Sequence, residues 1–364
     1  MQVGMAAIFQ NTYKHTTDRD VYKNDLRFAC MAEPLGFDSV WGVEHHFTDY
    51  TMCPDVFQFL AYMAGKTEKI QIGSMVCVLP WHDPLRVAEE ISQLDHLSDG
   101  RLILGIGRGA GKVEFDGFRQ SMEDSRPRFV EYAEMVLEGL EAGYCEYDGK
   151  FAQQPRVPIR PEPFKSFKGR TFAAAVSPES VPIMAKLGVG LLIIPQKPWE
   201  HVEKEVGEYR KQFIKVHGHD APPPIVAGWT FCDEDEGRAR EMAEKYIGGY
   251  WQTVLDHYQF HGDHLKDMKG YEYYGGMSDN IARHGKQGAI DFFMELQIWG
   301  TPEQCYNRIV ENANRLGSDA FSGVFSYAGM PWEMAEANMK LFAKEVMPEL
   351  KKLAPVSERI KLAS

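Results

Sequence analysis

Apolar runs of strand length recur along this chain, separated by longer segments whose apolar residues return at every third or fourth position. The runs are Val3 to Phe9, Ser39 to Val43, Ile70 to Leu79, Leu102 to Ile106, Thr171 to Val176, Gly190 to Ile194, Ile225 to Phe231 and Ala320 to Phe325. Several are apolar without alternation, the pattern of parallel strands covered on both faces. Helical period marks Asp20 to Leu35, Asp83 to Leu97 and Pro127 to Ala142 between them. Eight such runs predict an α/β fold: a single closed (β/α)8 barrel of the TIM type, forming one domain over residues 1–364.

Two stretches break the alternation. Gly143 to Gly169 is rich in proline and poor in apolar clusters, which predicts a surface loop with one short hairpin. Gly248 to Gly288 is rich in Gly, His, Tyr and Met and has only patchy helical period. A compact barrel rarely keeps a long structureless loop without a use, so this segment reads as an inserted lid over the barrel mouth. The plainer alternative is a packed helical insertion with no part in closure.

Composition narrows the class of partner. A net charge of -12 argues against nucleic acid, whose phosphate backbone needs clustered Lys and Arg. The first apolar run, Val3 to Phe9, has no basic leader, and no segment is long and apolar enough to suggest a membrane span. These features predict a cytoplasmic protein. Six cysteines, Cys30, Cys53, Cys77, Cys145, Cys232 and Cys305, are widely spaced without a Cys-x-x-Cys pair, so buried thiols are expected rather than a disulfide frame or zinc site.

The candidate chemistry lies where strands end. The second run continues into Glu44-His45-His46-Phe47. In an extended segment Glu44 and His46 share one side and His45 takes the other, so a single histidine is expected to reach a reacting centre. Glu44 or His46 is expected to orient it. A metal reading of these three residues is disfavoured, because adjacent residues point apart and no helical His-x-x-x-His pair accompanies them. Gly105-Ile106-Gly107-Arg108-Gly109-Ala110-Gly111 satisfies a loose Gly-x-Gly-x-x-Ala pattern, but it follows about the fourth strand, with the next evident helix only near Ser125-Arg126-Pro127. A dinucleotide fold is therefore not the main reading. The glycines permit close backbone approach to a planar cofactor and Arg108 offers a fork for phosphate. Ser177-Pro178-Glu179-Ser180 reads as a capped helix start able to receive an anion, with Ser177 as the cap. Trp41, Phe47, Trp81, Tyr250, Trp251 and Trp299 are available for an apolar pocket, although aromatic residues more often fill the core.

Glu44-His45-His46-Phe47, Leu79 to Pro84, Glu89 to Gly109, Trp299 to Cys305 and Met339 to Pro348 together resemble the bacterial luciferase family of flavin-dependent monooxygenases. The resemblance is strong over roughly the first 130 residues and the last 60, and weak between about 200 and 295. It implies reduced FMN supplied by a separate reductase, O2 as cosubstrate, a C4a-peroxyflavin and a small apolar organic substrate. It places His45 at the catalytic base or proton donor. By position it assigns Met75, Val76, Gly107, Arg108, Ala110, Arg126, Val176, Ser177 and Ser180 to flavin binding, with Arg108, Arg126 and the serine segment at the phosphate. It further implies a cis peptide between Met75 and Val76, and a homodimer. Two positions depart from the light-emitting members: Gly107 replaces a reactive cysteine and Val176 replaces an acidic residue, so light emission is not implied. Related barrels also use the deazaflavin F420, and a non-catalytic flavin-binding paralogue is the remaining alternative.

Overall fold

The computed structural model describes residues 1–12, 14, 16–174, 177–259, 271, 285, 287–356 and 358–359. Its strands are β1 (Gln2–Ala7), β2 (Ser39–Gly42), β3 (Gln71–Ser74), β4 (Cys77–Val78), β5 (Leu102–Gly107), β6 (Tyr144–Asp148), β7 (Gln153–Pro158), β8 (Thr171–Ala174), β9 (Gly190–Ile193), β10 (Ile225–Cys232), β11 (Ile298–Gly300) and β12 (Ala320–Val324). The parallel order β1-β2-β3-β5-β8-β9-β10-β12 returns to β1, closing the eight-stranded barrel that the apolar runs predict. Closure is carried by Ile225 opposite Leu192 and by Val3 opposite Phe321.

The third run is not continuous. It divides into β3 and β4 at Met75–Val76, whose peptide bond is cis, as the resemblance implies. Ser74 stabilises the break: its hydroxyl accepts from Gly105 N and donates to Gly105 O, both at 2.8 Å. A Cβ on Gly105 would lie 1.8 Å from Ser74 O, so only glycine permits this approach.

The helices before the site are α1 (Asp18–Leu35), α2 (Val56–Lys66), α3 (Pro84–Leu97), α4 (Lys112–Phe118), α5 (Ser125–Ala142), α6 (Ser180–Leu187), α7 (Trp199–His217) and α8 (Glu236–Tyr258). Capping explains where several begin: the side chain of Asp83 accepts from Arg86 N ahead of α3, and that of Asp235 from Arg238 N ahead of α8. Gly36, at φ 90°, ends α1 and returns the chain to β2. The proline-rich stretch folds as the antiparallel β6–β7 pair.

Two expectations need correction. A short helix, α4, follows the glycine run directly, although no helix was expected before Ser125; its seven residues carry too little apolar period to reveal it. The expected insertion from Gly248 also starts too early, since Gly248 to Tyr258 is the second half of the 23-residue α8. Gly248 sits there by close packing, because a Cβ would lie 2.8 Å from Ile290 Cγ2. Of the remaining lid segment, 260–270, 272–284 and 286 lie outside the described residues, and 287–295 include helix.

Candidate active site

The chain leaves β2 at the carboxyl end of the barrel, where such folds place their chemistry. Glu44 turns inward and is 2% exposed. Its Oε2 accepts from Val78 N at 2.8 Å, and its Oε1 meets His46 Nε2 at 3.1 Å and His82 Nε2 at 2.6 Å. Burial alone would raise this carboxyl, but the hydrogen bonds from His46 and His82 hold it below the usual carboxylate value. Burial opposes charge on His82, and contact with Glu44 more than offsets it, so His82 is raised. Glu44 thus ties the end of β2 to β4 and the turn after it.

β2 ends at Gly42, so Glu44 to His46 are not the extended strand expected, and the orienting role expected of Glu44 or His46 is not what the structure has. The partner is Glu114 of α4, whose Oε1 lies 2.9 Å from His45 Nδ1 and also accepts from His46 N at 2.9 Å. Burial would raise Glu114, yet the adjacent His45 and His257 outweigh it and hold the carboxyl at about 2. An ionised Glu114 favours the tautomer with the proton on Nδ1, leaving the Nε2 lone pair of neutral His45 available. Nothing in the sequence marked Glu114, because its relevance depends on the unforeseen α4.

Two further groups arrive on the last turn of α8. His257 Nε2 lies 3.6 Å from Glu114 Oε1, while its Nδ1 bonds Thr48 Oγ1 at 2.9 Å. Burial lowers His257, favouring its neutral form. Tyr258 Oη approaches His45 Nε2 at 3.4 Å, and Tyr50 stacks on His257 with ring centroids 4.5 Å apart. Tyr50 hydrogen-bonds Tyr250, and burial raises both phenols.

One cavity brings together His45, Met75, Val76, Gly107, Arg108, Ala110, Arg126, Ser177 and Ser180. Every described residue expected at the site lines it; Val176 lies outside the described residues. Its polar end holds Arg126 Nη2 at 3.5 Å from Ser177 Oγ and Ser177 Oγ at 2.9 Å from Ser180 Oγ. Ser177 does not cap the helix as expected. The helix α6 begins at Ser180 after the turn Ser177–Glu179, and the cap residue, Glu179, makes no side-chain capping bond. This end follows the fifth strand of the barrel ring, β8, rather than the seventh or eighth. Arg108 stands with its guanidinium 4.1 Å from the Tyr271 ring centre, and Tyr271 Oη donates to Gly109 O at 3.0 Å. Of the six aromatic residues available for a pocket, only Trp81 lines this cavity. Trp41, Tyr250, Trp251 and Trp299 are buried in the core, whereas Phe47 is exposed.

Two guanidinium groups and two hydroxyls beside a helix N-terminus suit a phosphate monoester, and a buried histidine–carboxylate pair on the same cavity suits proton transfer. A parallel barrel carrying both has the parts of an enzyme's active site. The chain belongs to the luciferase-like monooxygenase family, whose sequence model matches residues 1–320. It is 26% identical over 340 residues to the alkanal monooxygenase alpha chain of Photorhabdus luminescens, covering 91% of this chain and 93% of that one. Monooxygenase RslO1 of Streptomyces bottropensis superposes with a TM-score of 0.79 at 24% identity, over 96% of this chain and 99% of that one. The oxygenating constituent of 3,6-diketocamphane monooxygenase from the CAM plasmid of Pseudomonas putida, in complex with FMN, has a TM-score of 0.72 at 18% identity, over 98% and 99%. At these identities the two structures establish the shared fold.

Proposed function

We propose that this chain is an FMN-dependent monooxygenase that receives reduced FMN from a separate reductase and inserts one atom of O2 into a small apolar organic substrate, the other leaving as water. The observation that carries this reading is the placement of His45 and the Arg108, Arg126, Ser177 and Ser180 group on one cavity. The donor set fits the phosphate of FMN, with Arg126 already drawn to Ser177 and the two serine hydroxyls adjacent. Gly107 and Ala110 present little bulk on the intervening wall, beside Met75 and Val76. Reduced FMN, when bound, supplies the electrons that activate O2.

The chain's own residues handle binding and the proton. Arg108 and Arg126 neutralise phosphate charge. His45 holds or delivers a proton at Nε2, with Glu114 keeping its Nδ1 side fixed and Tyr258 within reach of Nε2. Val78, Trp81 and Met184 supply apolar wall for the substrate. We further propose a cytoplasmic homodimer, in keeping with its free cysteines. No described helix is long and apolar enough to cross a membrane.

Anaerobic titration with reduced FMN and with reduced F420, followed by addition of O2 and an aldehyde or ketone panel, tests this reading. Tight binding of reduced FMN and oxygenated product support it. Selective binding of F420, or flavin binding without turnover on any substrate, would replace it with a deazaflavin oxidoreductase or a non-catalytic paralogue. Sedimentation analysis tests the dimer.

A further inference from the structure

The cluster around Glu114 has more coordinating power than its hydrogen bonds use. Oε2 of Glu114 and Nε2 of His257 are both buried and have no hydrogen-bond partner among the described residues. Glu114 is 0% exposed and His257 is 5% exposed, so water does not compensate them freely. The Thr48 hydroxyl engages His257 at Nδ1, 2.9 Å away. Nε2 faces the ionised carboxylate of Glu114, 3.6 Å from its Oε1. A buried carboxylate facing two imidazoles offers donor atoms that a cation can take up in place of the ring protons.

We propose that His45 Nδ1, Glu114 and His257 Nε2 form a site for one divalent transition-metal ion of the Zn2+ type. The three ligand atoms lie within 4.8 Å of one another. His45 Nδ1 and His257 Nε2 lie 2.9 Å and 3.6 Å from Oε1 of Glu114, and its Oε2 is the oxygen left without a hydrogen bond among the described residues. Ligands at ordinary zinc distances occupy tetrahedron corners about 3.3 Å apart, so these separations bracket the requirement and only small side-chain shifts are needed. Two imidazoles and a carboxylate are a normal zinc set. The cavity lined by His45 and Glu114 leaves a fourth position for water.

The other group with metal-ligand spacing, Glu44, Cys77 and His82, is different. Both oxygens of Glu44 are already engaged, by Val78 N and by His46 and His82, whereas Oε2 of Glu114 is not.

Metal at Nδ1 moves the imidazole proton of His45 to Nε2, which then donates a hydrogen bond toward Tyr258 Oη. This removes the Nε2 lone pair, so Zn2+ inhibits turnover. That consequence rests on the proposed role of His45; metal binding itself does not.

Calorimetric titration of the full-length chain with ZnCl2 near neutral pH tests binding directly, and Co2+ serves as a spectroscopic probe. One Zn2+ per chain is expected, with Co2+ ligand-field bands that Zn2+ displaces. His257→Gln lowers Zn2+ affinity by on the order of 10- to 100-fold or more, at least the loss seen when a metal site's supporting hydrogen bonds are removed. Circular dichroism checks its fold. If the variant misfolds, nitrogen-15 histidine spectra of the unaltered chain decide: Zn2+ shifts His45 and His257 ahead of His46 and His82. Absence of binding, unchanged affinity in folded His257→Gln, or shifts confined to other histidines overturns the site. Zn2+ binding without inhibition leaves the site standing and instead argues against His45 as the proton-transfer group.

Discussion

Val76 occupies the space that a side chain at position 107 would need: a Cβ built on Gly107 lies 2.3 Å from Val76 Cγ2. Val76 follows the cis bond and immediately precedes β4, Gly107 ends β5, and both line the cavity. The small residue at 107 and the branched residue at 76 therefore act as a size pair. This gives a steric reason for glycine at position 107.

Gly107→Ala should consequently destabilise the protein by about 1–3 kcal/mol, the usual cost of overpacking, and weaken flavin binding. Val76→Ala relieves the clash, so the double variant should be more stable than the sum of the single effects allows, with coupling of about 1 kcal/mol or more. Denaturant unfolding of the four proteins measures this. Additive effects would show that the two residues do not compete for space.

Arg108→Ala should weaken FMN binding by about 2 kcal/mol, the scale of a lost charge-assisted hydrogen bond, and riboflavin binding by less, because riboflavin has no phosphate. Ser177→Ala should show the same selectivity with a smaller effect. Fluorescence titration with both ligands provides the comparison. Equal losses would place Arg108 away from the phosphate.

The barrel was legible in the sequence because eight buried strands leave eight apolar runs, and the site's anchors lie where those runs end. His45, Arg108 and Ser177 are all within a few residues of a strand end. The residues that set the chemistry of His45 were not legible. Glu114 comes from a seven-residue helix with little pattern of its own. His257 and Tyr258 come from the end of α8, beyond a glycine pair that looks like a helix break until Ile290 is seen packed against Gly248. Long-range packing, rather than local propensity, brings these groups to the barrel mouth.

A buried acid outside the cavity predicts a pH dependence of stability. Asp25 on α1 accepts from Phe9 N at 2.8 Å, and burial pushes its carboxyl up to about 7, only partly countered by that amide and by Ser326. The unfolded chain has the ordinary, lower value. The folded state therefore holds the proton more tightly, and stability is fully present below about pH 4 and is lost as pH rises toward 7. By linkage the loss for this one group is up to roughly 4 kcal/mol. Asp25→Asn keeps an acceptor for Phe9 N and stays neutral. It should be more stable than the parent at pH 8 and should flatten the melting temperature between pH 5 and 8. A parallel pH dependence in both proteins would assign the effect elsewhere.

The pairing of His45 with Glu114 makes the sharpest functional test. His45→Ala should keep the fold and reduced-flavin binding while lowering coupled oxygenation roughly 100-fold or more, the scale of a lost positioned acid or base. Glu114→Gln should act through the imidazole. Its amide can still occupy the contact with His45 Nδ1, but the charged acceptor that fixes the ring's tautomer is gone. Turnover should fall less than in His45→Ala, with reduced-flavin affinity unchanged. In the double variant, Glu114→Gln should add little, since its effect requires the ring it orients. Steady-state rates and flavin titrations for the three variants separate these cases: a further large loss in the double variant, or weakened flavin binding in Glu114→Gln, would show that Glu114 serves the fold rather than the histidine.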